Sequence, residues 1–180
     1  MSRVTASVTS FDRHVDGWLE RVRGHALTDR AFLLASELGD FSLIWHLISA
    51  ARGTISDDEA DHSLRFAMLL GAESVFVNQG LKRLFRRTRP TIAGDPRLLV
   101  RRPSTSSFPS GHASAAFFAA TILTARDGRR SVPLWFGLAA AVGTSRAYVR
   151  IHHPSDVVAG AIVGAVCGRI ALAMLARRGR

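Results

Sequence analysis

The residue types that could do chemistry gather in three short clusters. The first is Lys82-Arg83-Leu84-Phe85-Arg86-Arg87-Thr88-Arg89-Pro90. Lys82 and Arg89 are seven positions apart, two helical turns, so they could share one helix face. Pro90 biases Arg89 toward extended backbone and would end such a helix. The second cluster is Pro109-Ser110-Gly111-His112. Ser110 can cap a helix start, and Gly111 lets a ligand come close to the backbone. The unpaired N–H groups and positive dipole end of a helix suit a phosphate, with His112 beside it in the first turn. The third runs from Ser145-Arg146 through His152-His153-Pro154-Ser155-Asp156. Pro154 fits the first position of a helix, and Asp156 then falls in its first turn. His152 precedes Asp156 by four residues, close enough to be oriented by it, the arrangement that makes imidazole a better nucleophile. Taken singly, each cluster also has a bland reading: a basic loop, a capped helix with an incidental histidine, a structural His–Asp hydrogen bond.

The elements that must position these clusters are helical. Phe11, Val15, Trp18, Leu19 and Val22 recur at helical spacing and predict an amphipathic helix near the N-terminus. Five apolar stretches follow. They are roughly 31–51, broken by Glu37 and Asp40; 63–81, with Arg65 and Glu73; 103–125, without Asp, Glu, Lys or Arg; 131–145; and 157–176, with Arg169 as its single charge. A membrane span needs about 20 mostly apolar residues. None of the five is a pure apolar run of that length, so hydropathy leaves membrane and soluble bundles both open. Three details favour the membrane. Gly160, Gly164 and Gly168 form a stripe that allows close helix packing. Trp45 and Trp135 sit in or near segment ends, and the short connections at 126–130 and 150–153 are charged. No stretch alternates with period two. The expected fold is therefore all-α, a multi-pass bundle of about five spans. Residues 1–30 are expected to form an interfacial segment, 31–176 the transmembrane domain and 177–180 a basic tail.

Composition narrows the functional classes. The 180 residues carry 24 Lys+Arg against 14 Asp+Glu, a formal charge of +10, which points to anionic partners. Lys82 is the only lysine, a bias that fits a GC-rich genome as well as any function. The single cysteine, Cys167, excludes an internal disulfide framework and a cysteine-based zinc site. Residues 1–10 lack the apolar core of an export signal, so an exported soluble protein is not expected. His14, His25, His46 and His62 lack metal-ligand spacing.

In order, the clusters read K-x6-RP, PSGH and SR-x5-H-x3-D. This pattern resembles the type 2 phosphatidic acid phosphatase superfamily, which includes vanadium haloperoxidases and bacterial class A acid phosphatases. Every motif position is matched, and the likeness covers roughly residues 63–176. It implies metal-free hydrolysis of a phosphomonoester or diphosphate, with no cofactor. His152 would be the nucleophile, Asp156 its orienting carboxylate and His112 the acid and base. Lys82, Arg89, Arg146, Ser110 and Gly111 would hold the phosphate. A nucleic-acid-binding module would have to explain away all three motifs. A soluble haloperoxidase or acid phosphatase using the same site is the competing enzyme class. The expected partners are the bilayer and a lipid phosphate: a polyprenyl diphosphate, phosphatidylglycerol phosphate, phosphatidate, or a polyprenyl-linked sugar phosphate such as decaprenylphosphoryl-5-phosphoribose. Oligomeric state is not legible. With five spans, the clusters share one side of the membrane. That side holds fifteen cations against seven, and twelve against seven without Lys82, Arg89 and Arg146. Positive charge concentrates inside, so the site is expected on the cytoplasmic face of the cell membrane.

Overall fold

A computed structural model describes residues 3–90, 98 and 105–178. Seven α-helices account for most of them: α1 (Arg3–Glu20), α2 (Ala26–Gly39), α3 (Leu43–Gly53), α4 (Asp57–Val75), α5 (Gly111–Asp127), α6 (Val132–Tyr148) and α7 (Pro154–Arg178). No β-strand occurs among the described residues. Arg97, Arg101, Arg102 and Ser104 in the 82–109 loop, and Gly179 and Arg180 of the basic tail, lie outside them.

Helix α5 is the axis of the bundle, packing most extensively against α7 and α6. Its sequence explains this. Ala113, Ala115, Ala116, Ala119 and Ala120 are buried, and a helix apolar all round belongs in an interior. Trp45, Phe66, Leu70, Phe118, Leu123 and Val142 complete the core. The glycine stripe of α7 faces α5. A β-carbon at Gly164 would stand 1.9 Å from the carbonyl oxygen of Ser114, and one at Gly160 2.3 Å from that of Ser110. Val158, Ile162, Val166, Ile170 and Met174 point outward from the same helix. Exposed apolar residues along a whole helix face suit lipid rather than water.

Among the described residues, two segments have the length and hydropathy of a membrane span: Ala26–Gly53, at mean hydropathy 1.3, and Pro154–Arg177, at 2.1. The first is broken. A 3-10 turn at Asp40–Ser42 separates α2 from α3, with Phe41 and Ser42 in the left-handed region at φ 52° and 60°. That conformation is costly for non-glycine residues and concentrates at functional sites.

Helix α4 starts with Ser56, whose side chain accepts from the N–H of Glu59 at 3.2 Å, and with Asp57, Asp58 and Glu59 in its first turn. It ends in a π-turn (Phe76–Gly80) and a 3-10 turn (Leu81–Leu84). Lys82 and Arg89 therefore do not share a helix, contrary to the expectation from their spacing. The chain is extended from Phe85, whose ring packs edge-on against Phe108 at 4.7 Å. Backbone bonds to the serine run hold it there: Arg87 N–H donates to Ser106 Oγ at 3.2 Å, and Ser107 N–H to the Arg87 carbonyl at 3.0 Å.

Helix α1 is amphipathic, but its charged side faces inward. Val4, Val8, Phe11, Trp18 and Val22 are exposed, while Asp12 is buried. Arg23, also buried, donates to the carbonyls of Tyr148 at 2.8 Å and Ala147 at 3.0 Å. These bonds tie the N-terminal segment to the end of α6.

Candidate active site

The three clusters meet at one end of the bundle. Ser110 caps α5, its hydroxyl accepting from Ala113 N–H at 3.4 Å, and its own N–H donates to the Asp156 carbonyl at 3.0 Å. The second cluster is thus pinned to the third. At Gly111 a β-carbon would meet Asn78 Oδ1 at 2.8 Å and Lys82 Nζ at 3.4 Å. The missing side chain is what lets the lysine approach the N-terminus of α5. The π-turn aims Lys82 there, since its extra residue re-registers the end of α4.

His152 lies in the turn between α6 and α7. Arg150 adopts φ 56° and reverses the chain, and the N–H groups of Ile151 and His152 both donate to the Arg146 carbonyl, at 3.2 and 3.1 Å. Arg89 Nη1 donates to the Ile151 carbonyl at 2.6 Å and lies 3.2 Å from His152 Nε2. On the other side of the ring, Nδ1 is 3.7 Å from Asp156 Oδ2, an ion-pair separation rather than a hydrogen bond. Asp156 accepts from the His153 N–H at 2.9 Å and from the Ser107 hydroxyl. His153 turns away, its Nε2 3.2 Å from the Thr88 carbonyl.

Electrostatics follow from burial. Lys82, Arg89, Arg146, His152 and Asp156 are each 7% exposed or less. Full burial drives the His152 imidazole down to about 3, with Arg89 and Lys82 adding and Asp156 opposing. The ring is therefore neutral at physiological pH, the form that can act as a nucleophile. Burial, followed by the charges of Arg89 and Arg146, lowers the Lys82 ammonium to about 8. Three buried cations beside a helix N-terminus make a strong anion site. No group of three His, Cys, Asp or Glu side chains that could hold a metal ion occurs among the described residues.

The broken helix contributes residues to which the sequence reading gave no role. Asp40 Oδ1 lies 2.6 Å from His112 Nε2 and 3.5 Å from Arg146 Nη1. Arg146 also donates to the carbonyl of Ser36 at 3.2 Å and to its hydroxyl. Of the other acids in the apolar stretches, Glu73 is buried and accepts from the Ser114 hydroxyl, and Glu37 is exposed. An ionisable residue inside an apolar stretch was the available signal for Asp40. Nothing in local sequence marked Ser36.

Residues 63–180 match the family profile described as the PAP2 superfamily. A decaprenylphosphoryl-5-phosphoribose phosphatase of Mycobacterium tuberculosis is 34% identical over 156 residues, covering 81% of this chain and 82% of that protein. Among solved structures, a transmembrane PAP2-type phosphatidylglycerolphosphate phosphatase from Bacillus subtilis superposes with a TM-score of 0.75 at 22% identity, covering 95% of this chain and 87% of that one. Aquifex aeolicus LpxE superposes with a TM-score of 0.71 at 26% identity, covering 88% and 93%.

Proposed function

Since the chain belongs to the PAP2 superfamily and is a membrane lipid phosphatase of that family, we propose that it hydrolyses a polyprenyl-linked phosphate through a phosphohistidine intermediate. The observation that carries this is the convergence of Lys82 and Arg89 on His152 at the N-terminus of α5, with Arg146 beside Lys82 and His112. In this reading His152 Nε2 attacks phosphorus, forming an N–P bond as the P–O bond to the lipid breaks. His112 protonates the departing oxygen, then takes a proton from the water that cleaves the N–P bond. Asp40 holds His112 Nε2, which leaves Nδ1 to face the substrate oxygen. Asp156 balances the positive charge that develops on the His152 ring. The three cations, the Ser110 hydroxyl and the Gly111 N–H match the phosphoryl charge with donors already in place, and no metal is needed.

Decaprenylphosphoryl-5-phosphoribose is the first substrate to test, because a relative of that name matches most of the chain. Undecaprenyl diphosphate and phosphatidylglycerol phosphate are the comparison substrates. Purified protein in detergent is given each lipid, and released phosphate is measured with and without EDTA. Preference for the ribose-linked phosphate and indifference to EDTA are expected. Loss of turnover on chelation, with recovery on adding Mg²⁺, overturns the metal-free mechanism. Preference for another lipid overturns the substrate.

The same reading places about five spans in the bilayer and the site on the cytoplasmic face. The bonds from Arg23 to the end of α6 support counting the N-terminal arginines on the site side. A Cys167→Ala, Ser104→Cys variant in intact cells checks this. Labelling by a membrane-impermeant maleimide before lysis would put the site outside.

A further inference from the structure

Arg87 occupies the spacer of the first cluster, and Asp12 lies on α1, outside the residues that match the family. Neither has a part in the chemistry above. We propose that Asp12 and Arg87 form a clamp that positions Asp156, and through it His152, for attack; this rests on His152 being the nucleophile.

Arg87 is a two-sided bridge. Its Nη1 donates to Asp156 Oδ1 at 2.6 Å and to Ser155 Oγ at 2.8 Å. Its Nη2 donates to Asp12 Oδ2 at 2.6 Å. Asp12 in turn accepts from the Ser155 N–H at 2.8 Å and the Ser155 hydroxyl at 2.9 Å. One carboxylate thus holds both the guanidinium and the first turn of α7. The two oxygens of Asp156 are divided by this arrangement. Oδ1 is committed to Arg87, while Oδ2 faces His152 and takes the His153 N–H. A guanidinium suits the task because its planar fork can serve two acceptors at once, which an ammonium cannot do in fixed geometry. Without it, Oδ2 would keep the His153 N–H and the Ser107 hydroxyl, but Oδ1 would lose its charged donor, and the carboxylate could twist about its Cβ–Cγ bond and shift Oδ2 relative to the imidazole.

The orientation of α1 supports a role beyond packing. Asp12, Asp16 and Glu20 recur every four residues and face Arg87, Arg23 and Arg150. Val4, Val8, Phe11 and Trp18 point the other way, while Leu19 packs with Tyr148, Val149 and Ile151. What the helix presents to the site is therefore a row of carboxylates. The bonds of Arg23 to the carbonyls of Ala147 and Tyr148 keep that row in register.

The test uses the full-length protein in detergent. Arg87→Gln and Asp12→Asn keep shape while removing charge, and Arg87→Lys keeps charge while removing the fork. Arg87→Gln is expected to lower kcat by about 10- to 100-fold, the cost of a misplaced catalytic group. KM and competitive inhibition by inorganic phosphate should stay near wild type, because neither residue is placed on the phosphate. Asp12→Asn and Arg87→Lys should be milder. The double variant Asp12→Asn, Arg87→Gln should be no slower than Arg87→Gln alone, since the path runs through Arg87. A melting curve in detergent identifies any variant that has not folded. Wild-type kcat in folded Arg87→Lys and Asp12→Asn, with His152→Ala inactive, overturns the clamp and spares the mechanism. So does inhibition by inorganic phosphate that weakens in step with kcat. Full activity in His152→Ala overturns the mechanism itself.

Discussion

At the end of the bundle away from the site, Arg52 grips Asp127 with both terminal nitrogens at 2.8 Å and lies 3.5 Å from Glu59, which also takes Arg126. Trp135 adds an indole N–H to Asp127 at 2.9 Å. At the site end, Arg87 bridges Asp12 and Asp156 at 2.6 Å each. Both networks join helices distant in sequence through one guanidinium between two carboxylates. Water separates them in effect. The two guanidiniums are alike, Arg52 keeping 24% of its side-chain surface exposed and Arg87 29%, but the carboxylates differ: Asp127 keeps 21%, Asp12 9% and Asp156 none. An ion pair open to solvent contributes little, because water replaces a lost partner; a buried one cannot be broken without stranding a charge. The far network holds α3, α4 and α5 together, and the near network controls where a carboxylate points.

That contrast can be broken most directly at the proposed nucleophile. His152→Ala should reduce phosphate release by at least about 10²-fold, and His112→Ala nearly as much. Wild-type turnover in either folded variant would remove the chemistry from the site end. Asp40→Asn sharpens the contrast further, because it changes the partner of a reacting group and leaves the phosphate ligands in place. We expect kcat to fall about tenfold, as when a well-placed acid or base loses its orientation. A lower KM with faster turnover would instead show that Asp40 competes with the phosphate for Arg146. Next in size is a pH effect. The Lys82 ammonium is lowered to about 8, so it is protonated below that pH and lost above it. Substrate affinity should therefore weaken as pH rises through about 8, and Lys82→Arg, which stays charged, should flatten that limb of the KM profile. The smallest effect belongs to the far end. Asp127→Ala should leave kcat and KM unchanged and lower stability by about 1 kcal/mol in a detergent melt.

The sequence showed the chemistry more clearly than the machinery behind it. The three motifs carry their own spacing, and the helical reading followed from periodicity and from the glycines of α7. The spacing of Lys82 and Arg89 misled, because two helical turns assume a helix, and the π-turn at Phe76–Gly80 ends it early. Asp40 was visible as an acid in an apolar stretch, but its partner is 72 residues away. Asp12 and Ser155 are 143 residues apart, and nothing in one sequence links them. Arg87 was hidden by its neighbours, being one arginine among several in a basic run. Contacts of this kind arise only when helices pack, so local spacing does not reveal them.

The seam between α5 and α7 bears on how such an enzyme can change its preferences. At Gly164 even one methyl group would overlap the Ser114 carbonyl, and at Gly168 it would stand 2.8 Å from Thr121 Cβ. The two helices that carry Ser110 and Asp156 therefore meet backbone to backbone at Gly160 and Gly164, with no room to repack. Evolution can do little along this line without prying the reactive groups apart. The walls that remain free to vary are those where α1 and α2 meet the site through the long side chains of Arg87 and Arg146. A lineage acquiring a new lipid headgroup should accumulate its substitutions there and leave the glycines of α7 untouched.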